Sequence, residues 1–164
     1  VISGGFQSPF KGGELIKNLI PLIKNLDLEL HFVGGKKKHR DSNIIYHGKL
    51  DQKQLINQYQ QSTAILVPSL ADNCPMVIIE SLSCGIPVIA TKVGGIPELI
   101  THKKNGYLAD PNLNSLLNGI NWLMKLNNKE INKIKKNNRQ KTLKNFSLST
   151  MVNKYEKLYH SLSS

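Results

Sequence analysis

The stretch Pro68–Leu99, PSLADNCPMVIIESLSCGIPVIATKVGGIPEL, decides how this chain folds. Between Asp72 and Lys92 it carries one charged side chain, Glu80, in an otherwise apolar, small-residue run. Such runs usually enter the core whole, where an ionised carboxylate is costly unless something pairs with it. Ile65, Leu66 and Val67 read as a buried strand, and Ser69 to Cys74 as the loop that follows. Pro75 suits the first turn of a helix, where its missing N–H costs nothing. Gly85 supplies the helix stop, with Pro87 just beyond. Ile86 to Ala90 is a second strand, and Gly94-Gly95-Ile96-Pro97 opens another helix. Glu80 thus sits about one turn inside a helix whose N-terminus faces a strand's end, the edge of a parallel sheet where ligands bind.

The flanking sequence repeats the same alternation. Val1-Ile2-Ser3 begins as a strand at once, as an excised fragment would, and leads through Gly4-Gly5 to Lys11-Gly12-Gly13. Glu14 to Leu26 is amphipathic, with Leu15, Leu19, Leu22, Ile23 and Leu26 on its apolar side and Pro21 expected to kink or shorten it. Leu28 to Val33 is the next strand, ended by Gly34-Gly35, and the basic run Lys36–Arg40 reads as a solvated surface loop. Ile44 to His47 is a strand closed by Gly48, and Asp51 caps a helix running to about Ser62. Asn105-Gly106-Tyr107-Leu108 turns into a last short strand. An all-helical segment closes the chain, with Leu116, Ile120, Leu123 and Met124 on one face, then a lysine-rich helix over Lys129–Asn145. Leu148, Val152, Tyr155, Leu158, Tyr159 and Leu162 form a final stripe that predicts packing. Gly119 falls inside a helix at a cost of about 1 kcal/mol, for which the sequence offers no reason. The pattern predicts an α/β class, Rossmann-like, doubly wound parallel sheet of about six strands, helices on both faces and a helical C-terminal segment.

Composition narrows the classes of function. At 164 residues the chain is expected to be one domain, 1–164, with no apolar run of membrane-spanning length. The formal charge of +11 is nearly all lysine, with Arg40 and Arg139 the two arginines. Aromatics are 6% and do not interleave with the lysines as base-stacking platforms would, so nucleic-acid binding is disfavoured. An anionic membrane surface remains a candidate partner of the basic run. Cys74 and Cys84, at opposite ends of one helix, are beyond disulfide reach. Free thiols suit a reducing compartment, hence an expected cytoplasmic location, with peripheral attachment at the inner membrane face an open option. No spacing suggests a metal site.

Three loops converge at the strand C-terminal edge: Gly4–Lys11, Gly48 with its followers, and Asp72–Met76. A helix N-terminus is an anion site, and Lys11 adds a point charge suited to a diphosphate. Glu80 could accept two hydrogen bonds from a vicinal diol such as a ribose, or could equally be a structural carboxylate. Taken alone, Lys11 reads first as a surface lysine. GxGxxG is absent, Ser3-Gly4-Gly5-Phe6 not being that fingerprint, so hydride transfer has little support.

Taken together these motifs resemble the C-terminal domain of GT-B fold retaining glycosyltransferases, family 4 (glycosyltransferases group 1). The family's paired acidic residues appear as Asp72 and Glu80, its small-Gly-x-Pro-Val strand as Cys84–Val88, and its Gly-Gly-x-Pro-Glu turn as Gly94–Glu98. Lys11-Gly12, His47-Gly48-Lys49-Leu50 and Asn105–Leu108 match further turns in order. The resemblance implies a donor-binding half, with the acceptor-binding half preceding it. Glu80 would hold the ribose hydroxyls of a nucleoside diphosphate sugar, and Asp72 would approach the hydroxyls of the sugar. Backbone amides of Asn73, Cys74 and Met76, with Gly4 and Gly5, would meet the diphosphate or sugar. Lys11 would neutralise the leaving group, Lys49 and Leu50 would lie near the base, and no metal is expected. The implied enzyme moves a sugar to a glycan or lipid-linked acceptor, as in polysaccharide biosynthesis, while the isolated fragment turns over little. Three departures stand out: Asp72 where Glu is usual, Asn73-Cys74-Pro75 for Gly-Phe-Gly, and Gly5 or Phe6 in place of an Arg. They leave a non-catalytic nucleotide-binding or scaffold module as the alternative.

Overall fold

Six strands form one sheet in the order β3-β2-β1-β4-β5-β6, with parallel neighbours throughout its centre. The computed structural model describes residues 2–3, 8–24 and 26–162. The strands are β1 (Ile2–Ser3), β2 (Leu30–Asp41), β3 (Ile44–Gly48), β4 (Ile65–Val67), β5 (Val88–Thr91) and β6 (Gly106–Ala109). The helices are α1 (Gly13–Ile23), α2 (Gln52–Gln60), α3 (Met76–Ser83), α4 (Ile96–Leu99), α5 (Leu113–Met124), α6 (Asn128–Phe146) and α7 (Leu148–Leu162). A 3-10 turn, Pro9–Lys11, precedes α1.

β4 and β5 are apolar up to Thr91 at the end of β5, because both faces of the sheet are covered, the usual condition of a parallel sheet. β4 and β5 are buried throughout. Alternate residues feed two cores. Leu66 and Ile89 meet Ile16, Leu19 and Ile23 of α1 and Leu116, Ile120 and Leu123 of α5. Ile65, Val67, Val88 and Ala90 meet Tyr59 of α2, Ile78 and Leu82 of α3, and α4. Helices therefore lie on both faces, as the alternation requires.

Local chemistry sets the helix ends. Asp51 and Asn127 each form a reciprocal capping box, starting α2 and α6. Gly85, at φ +86°, closes α3: its N–H donates to Leu82 O, and that of Ile86 to Ser81 O, the paired bonds of a Schellman stop. Gly119 lies where α5 crosses the sheet. A Cβ there would come within 2.7 Å of Ile89 and 2.9 Å of Tyr107, so only glycine lets the helix approach this closely.

Several expectations change. The basic run is not a free loop but lies within β2. Leu30–Gly34 pairs parallel to β3, after which partner numbers reverse from His39↔Tyr46 to Asp41↔Ile44, so the chain returns along β3. The return is reached through Gly34 and Gly35, both at positive φ, and Arg40 pairs with Glu29 at 3.0 Å. The strand expected over Ile86–Ala90 runs instead from Val88 to Thr91, since Ile86 completes the helix stop and Pro87 supplies no N–H. α1 ends at Ile23, and Leu22 and Met124, assigned to apolar faces, are exposed because they lie off the sheet-facing stripe. The α7 stripe, expected to pack, is exposed along its length, from Val152 at 42% to Leu162 at 75%. None of the described helices is long and apolar enough to cross a membrane.

Candidate functional site

β1 leads toward the β2 side of the sheet and β4 toward the β5 side, so their shared border is the topological switch point. Crevices at such points, outside the strand C-termini, are where ligands bind in open α/β sheets. Lys11 follows β1 and Asp72 follows β4, and they meet across that border: Lys11 Nζ lies 2.6 Å from Asp72 Oδ2. The lysine side chain is 43% exposed and the carboxylate 12%.

Backbone packing fixes the Asp72 loop from both sides. On the β1 side, the N–H groups of Leu70 and Ala71 donate to Phe10 O at 2.7 and 3.4 Å. Gly12, at φ +71°, lies so close to Pro68 O that no Cβ fits. On the β5 side, Gly94 and Gly95 are pressed against the carbonyls of Asp72 and Asn73, again without room for a Cβ, and Gly95 N–H donates to Asp72 O at 3.2 Å. Beneath the loop, buried Thr91 donates from Oγ1 to Ser69 O, and Ser69 Oγ reaches Asp72 Oδ2 at 3.4 Å. Ser69 and Thr91 escape a sequence reading because nothing distinguishes them from core hydroxyls at strand ends.

α3 starts immediately after this loop, with Pro75 at its N-cap position rather than within its first turn. Pro75 brings no capping side chain, and no acidic residue sits in the first turn. Within the first turn Ile78 N–H donates to Pro75 O at 2.9 Å, and the amides ahead of it lie at the positive end of the helix dipole. Asn73, Cys74 and Met76 lie around this terminus; Cys74 is exposed, and Met76 is so at 59%.

Glu80, one turn in, is exposed rather than buried, which corrects the expectation of a carboxylate enclosed in the core. Helical periodicity turns Ile78 and Leu82 inward and leaves Glu80 on the outer side. Its Oε2 accepts a hydrogen bond from the hydroxyl of buried Tyr59, at 3.1 Å. Tyr59 was findable: Leu55 and Tyr59 share a helix face, and a buried tyrosine hydroxyl needs an acceptor.

Lys49 is exposed and Leu50 half-buried, between β3 and α2 at the same sheet edge. No described contact joins them to Lys11, Asp72 or Glu80. Gly4 and Gly5 lie outside the described residues. Both cysteines are free; Cys74 is exposed, while burial raises the Cys84 thiol above its ordinary pKa. Among the described residues there is no group of three or more His, Cys, Asp or Glu that could hold a metal ion. A cleft of about 520 Å³ opens at the opposite, N-terminal edge of the strands, lined by Asp27, His31, Gln58, Leu66 and Ile120 among others, and includes none of these site residues.

The doubly wound parallel sheet, with a charged pair at its switch point, defines a Rossmann-like α/β domain. The chain belongs to the glycosyl transferases group 1 family, whose model matches residues 5–141. It is 31% identical over 94% of its length to an uncharacterised glycosyltransferase of Methanocaldococcus jannaschii, covering 46% of that protein. It is 28% identical over 59% of its length to the N-acetyl-alpha-D-glucosaminyl L-malate synthase of Bacillus anthracis, covering 28% of it. A glycosyltransferase structure from Rickettsia africae superposes with a TM-score of 0.86 at 24% identity, over 99% of this chain and 47% of that one. Anabaena HepE in complex with UDP superposes at 0.80 and 23% identity, over 98% and 48%. The likeness to these structures shows the GT-B half-fold. The chain thus spans under half the length of each of these relatives.

Proposed function

We propose that this chain is the donor-binding half of a retaining glycosyltransferase. The whole protein would transfer a sugar from a nucleoside diphosphate sugar to a glycan or lipid-linked acceptor, held by the remainder of the molecule. The observation that carries this reading is the Lys11–Asp72 pair at the switch point, set against an uncapped helix N-terminus with Glu80 one turn below. Family membership and the UDP complex of the Anabaena relative support it.

In this reading the diphosphate lies over the first amides of α3, where the helix dipole and Lys11 offset its charge. As the bond from the sugar's anomeric carbon to the diphosphate breaks, negative charge grows on the departing phosphate. Fixed donors aimed at that charge lower the barrier more than they stabilise the ground state. Asp72 directs Lys11 and faces the sugar hydroxyls, while Glu80 accepts from the ribose. Lys49 and Leu50 border the base.

Titrating the protein calorimetrically with UDP, GDP and ADP tests the proposal. One should bind, and Glu80→Ala should lower its affinity at least about tenfold, the loss of a charged hydrogen-bonded pair. A folded sample that binds none of the three would overturn it. The alternative, a non-catalytic nucleotide-binding module, is favoured by Pro75, which removes a donor at the mouth of α3. It predicts nucleotide binding without turnover of any nucleoside diphosphate sugar by the full-length protein.

A further inference from the structure

We infer that Tyr59 is a positioning residue for the nucleoside: its buried hydroxyl fixes the Glu80 carboxylate in the orientation that accepts the ribose diol. This inference rests on the ribose reading above and adds a residue that the motifs quoted from the sequence do not contain. Tyr59 stands near the end of α2 with its ring in the core against α3, 1% exposed. Its hydroxyl donates to Glu80 Oε2 at 3.1 Å.

Three physical points make this contact more than a satisfied hydroxyl. Glu80 is exposed and unbranched, so a ligand that used it alone would have to freeze several torsions on binding. Tyr59 is rigid, because a ring packed in the core has two torsions and no room to use them. A tyrosine is also a neutral donor. A lysine in its place would orient the carboxylate and cancel its charge, whereas the phenol orients it and leaves the full negative charge for the ligand's hydroxyls. Oε2 is occupied by Tyr59, and Oε1 has no hydrogen-bonding partner among the described residues. α2 also starts directly after Lys49 and Leu50. The helix that borders the expected base loop therefore also holds the expected ribose carboxylate.

The test compares UDP, GDP and ADP, each against its 2′-deoxy form, by calorimetry on the full chain and on Tyr59→Phe. The wild type should prefer the ribo form of the nucleotide it binds. Tyr59→Phe should lose affinity for that form by roughly tenfold, keep its affinity for the deoxy form, and so flatten the ratio. The ratio is the deciding quantity, since a partly unfolded sample scales both affinities alike. If Tyr59→Phe does not fold, 3-fluorotyrosine at position 59, a stronger donor of nearly equal volume, should raise the ratio. A wild-type preference that persists in Tyr59→Phe, or is unmoved by fluorotyrosine, overturns the positioning role alone. A wild type that binds but does not distinguish ribo from deoxy overturns the ribose reading itself.

Discussion

At the scale of single residues, the Lys11–Asp72 pair separates binding from stability. Half-exposed ion pairs of this kind contribute about 0–1 kcal/mol to folding, because side-chain ordering and screening offset the attraction. Lys11→Ala should therefore leave the melting temperature within about 3 °C of wild type, yet weaken nucleoside diphosphate binding at least about tenfold. Unfolding scans beside calorimetric titrations measure both, and a large drop in melting temperature would show the lysine to be a structural strut instead. The two thiols make a second contrast. Burial holds the Cys84 thiol above its usual pKa, so less of it is thiolate at neutral pH, and its alkylation should rise only as pH climbs past the ordinary cysteine range. Exposed Cys74, in the candidate donor loop, should be alkylated first, and bound nucleotide should protect it while leaving Cys84 unaffected. Peptide mapping after timed iodoacetamide treatment reads both. The site's residue types were legible in the sequence; their surroundings were not. Glu80 reads as a core charge because it is the one charged residue in a run of apolar and small residues, yet its helix carries it to the outside.

At the scale of elements, Gly119 sets two effects of opposite sign against each other. Alanine there gains up to about 1 kcal/mol of helix propensity. Its methyl must also displace Ile89 and the Tyr107 ring, both under 3.0 Å away, and overpacking a settled core costs about 1–3 kcal/mol. Packing should win, so Gly119→Ala lowers stability by about 1–2 kcal/mol in urea denaturation; an alanine variant as stable as wild type would mean the contact relaxes freely. No reading of α5 alone could find this, because the reason lies in β5 and β6. The order of strands and helices was legible, since short apolar runs and period-3.6 stripes alternate between Gly and Pro punctuation. The charged end of β2 was missed because like charges predict a solvated loop, whereas this segment finds backbone partners by returning along β3. In α7 the stripe itself was correct and its burial was not: periodicity reports a face, and says nothing of what covers it.

At the scale of the molecule, the sheet order places the candidate site on the seam between two halves that wind in opposite directions. Its position followed from the alternating pattern and the Lys11, Asp72 and Glu80 motifs; the clamp that holds it did not, because backbone carbonyls leave no trace in sequence. That clamp bears on cooperativity. Surface loops ordinarily exchange their amide hydrogens through small local openings that cost little free energy. The amides of Leu70, Ala71 and Gly95 are tied to Phe10 and Asp72, so freeing them means parting the turns contributed by the two sides of the sheet. Native-state hydrogen exchange should accordingly find them among the slow amides, with denaturant dependence approaching that of global unfolding, while exposed α7 exchanges early. A loop that opens only when the whole domain opens would make the integrity of the candidate site a direct reporter of the folded population.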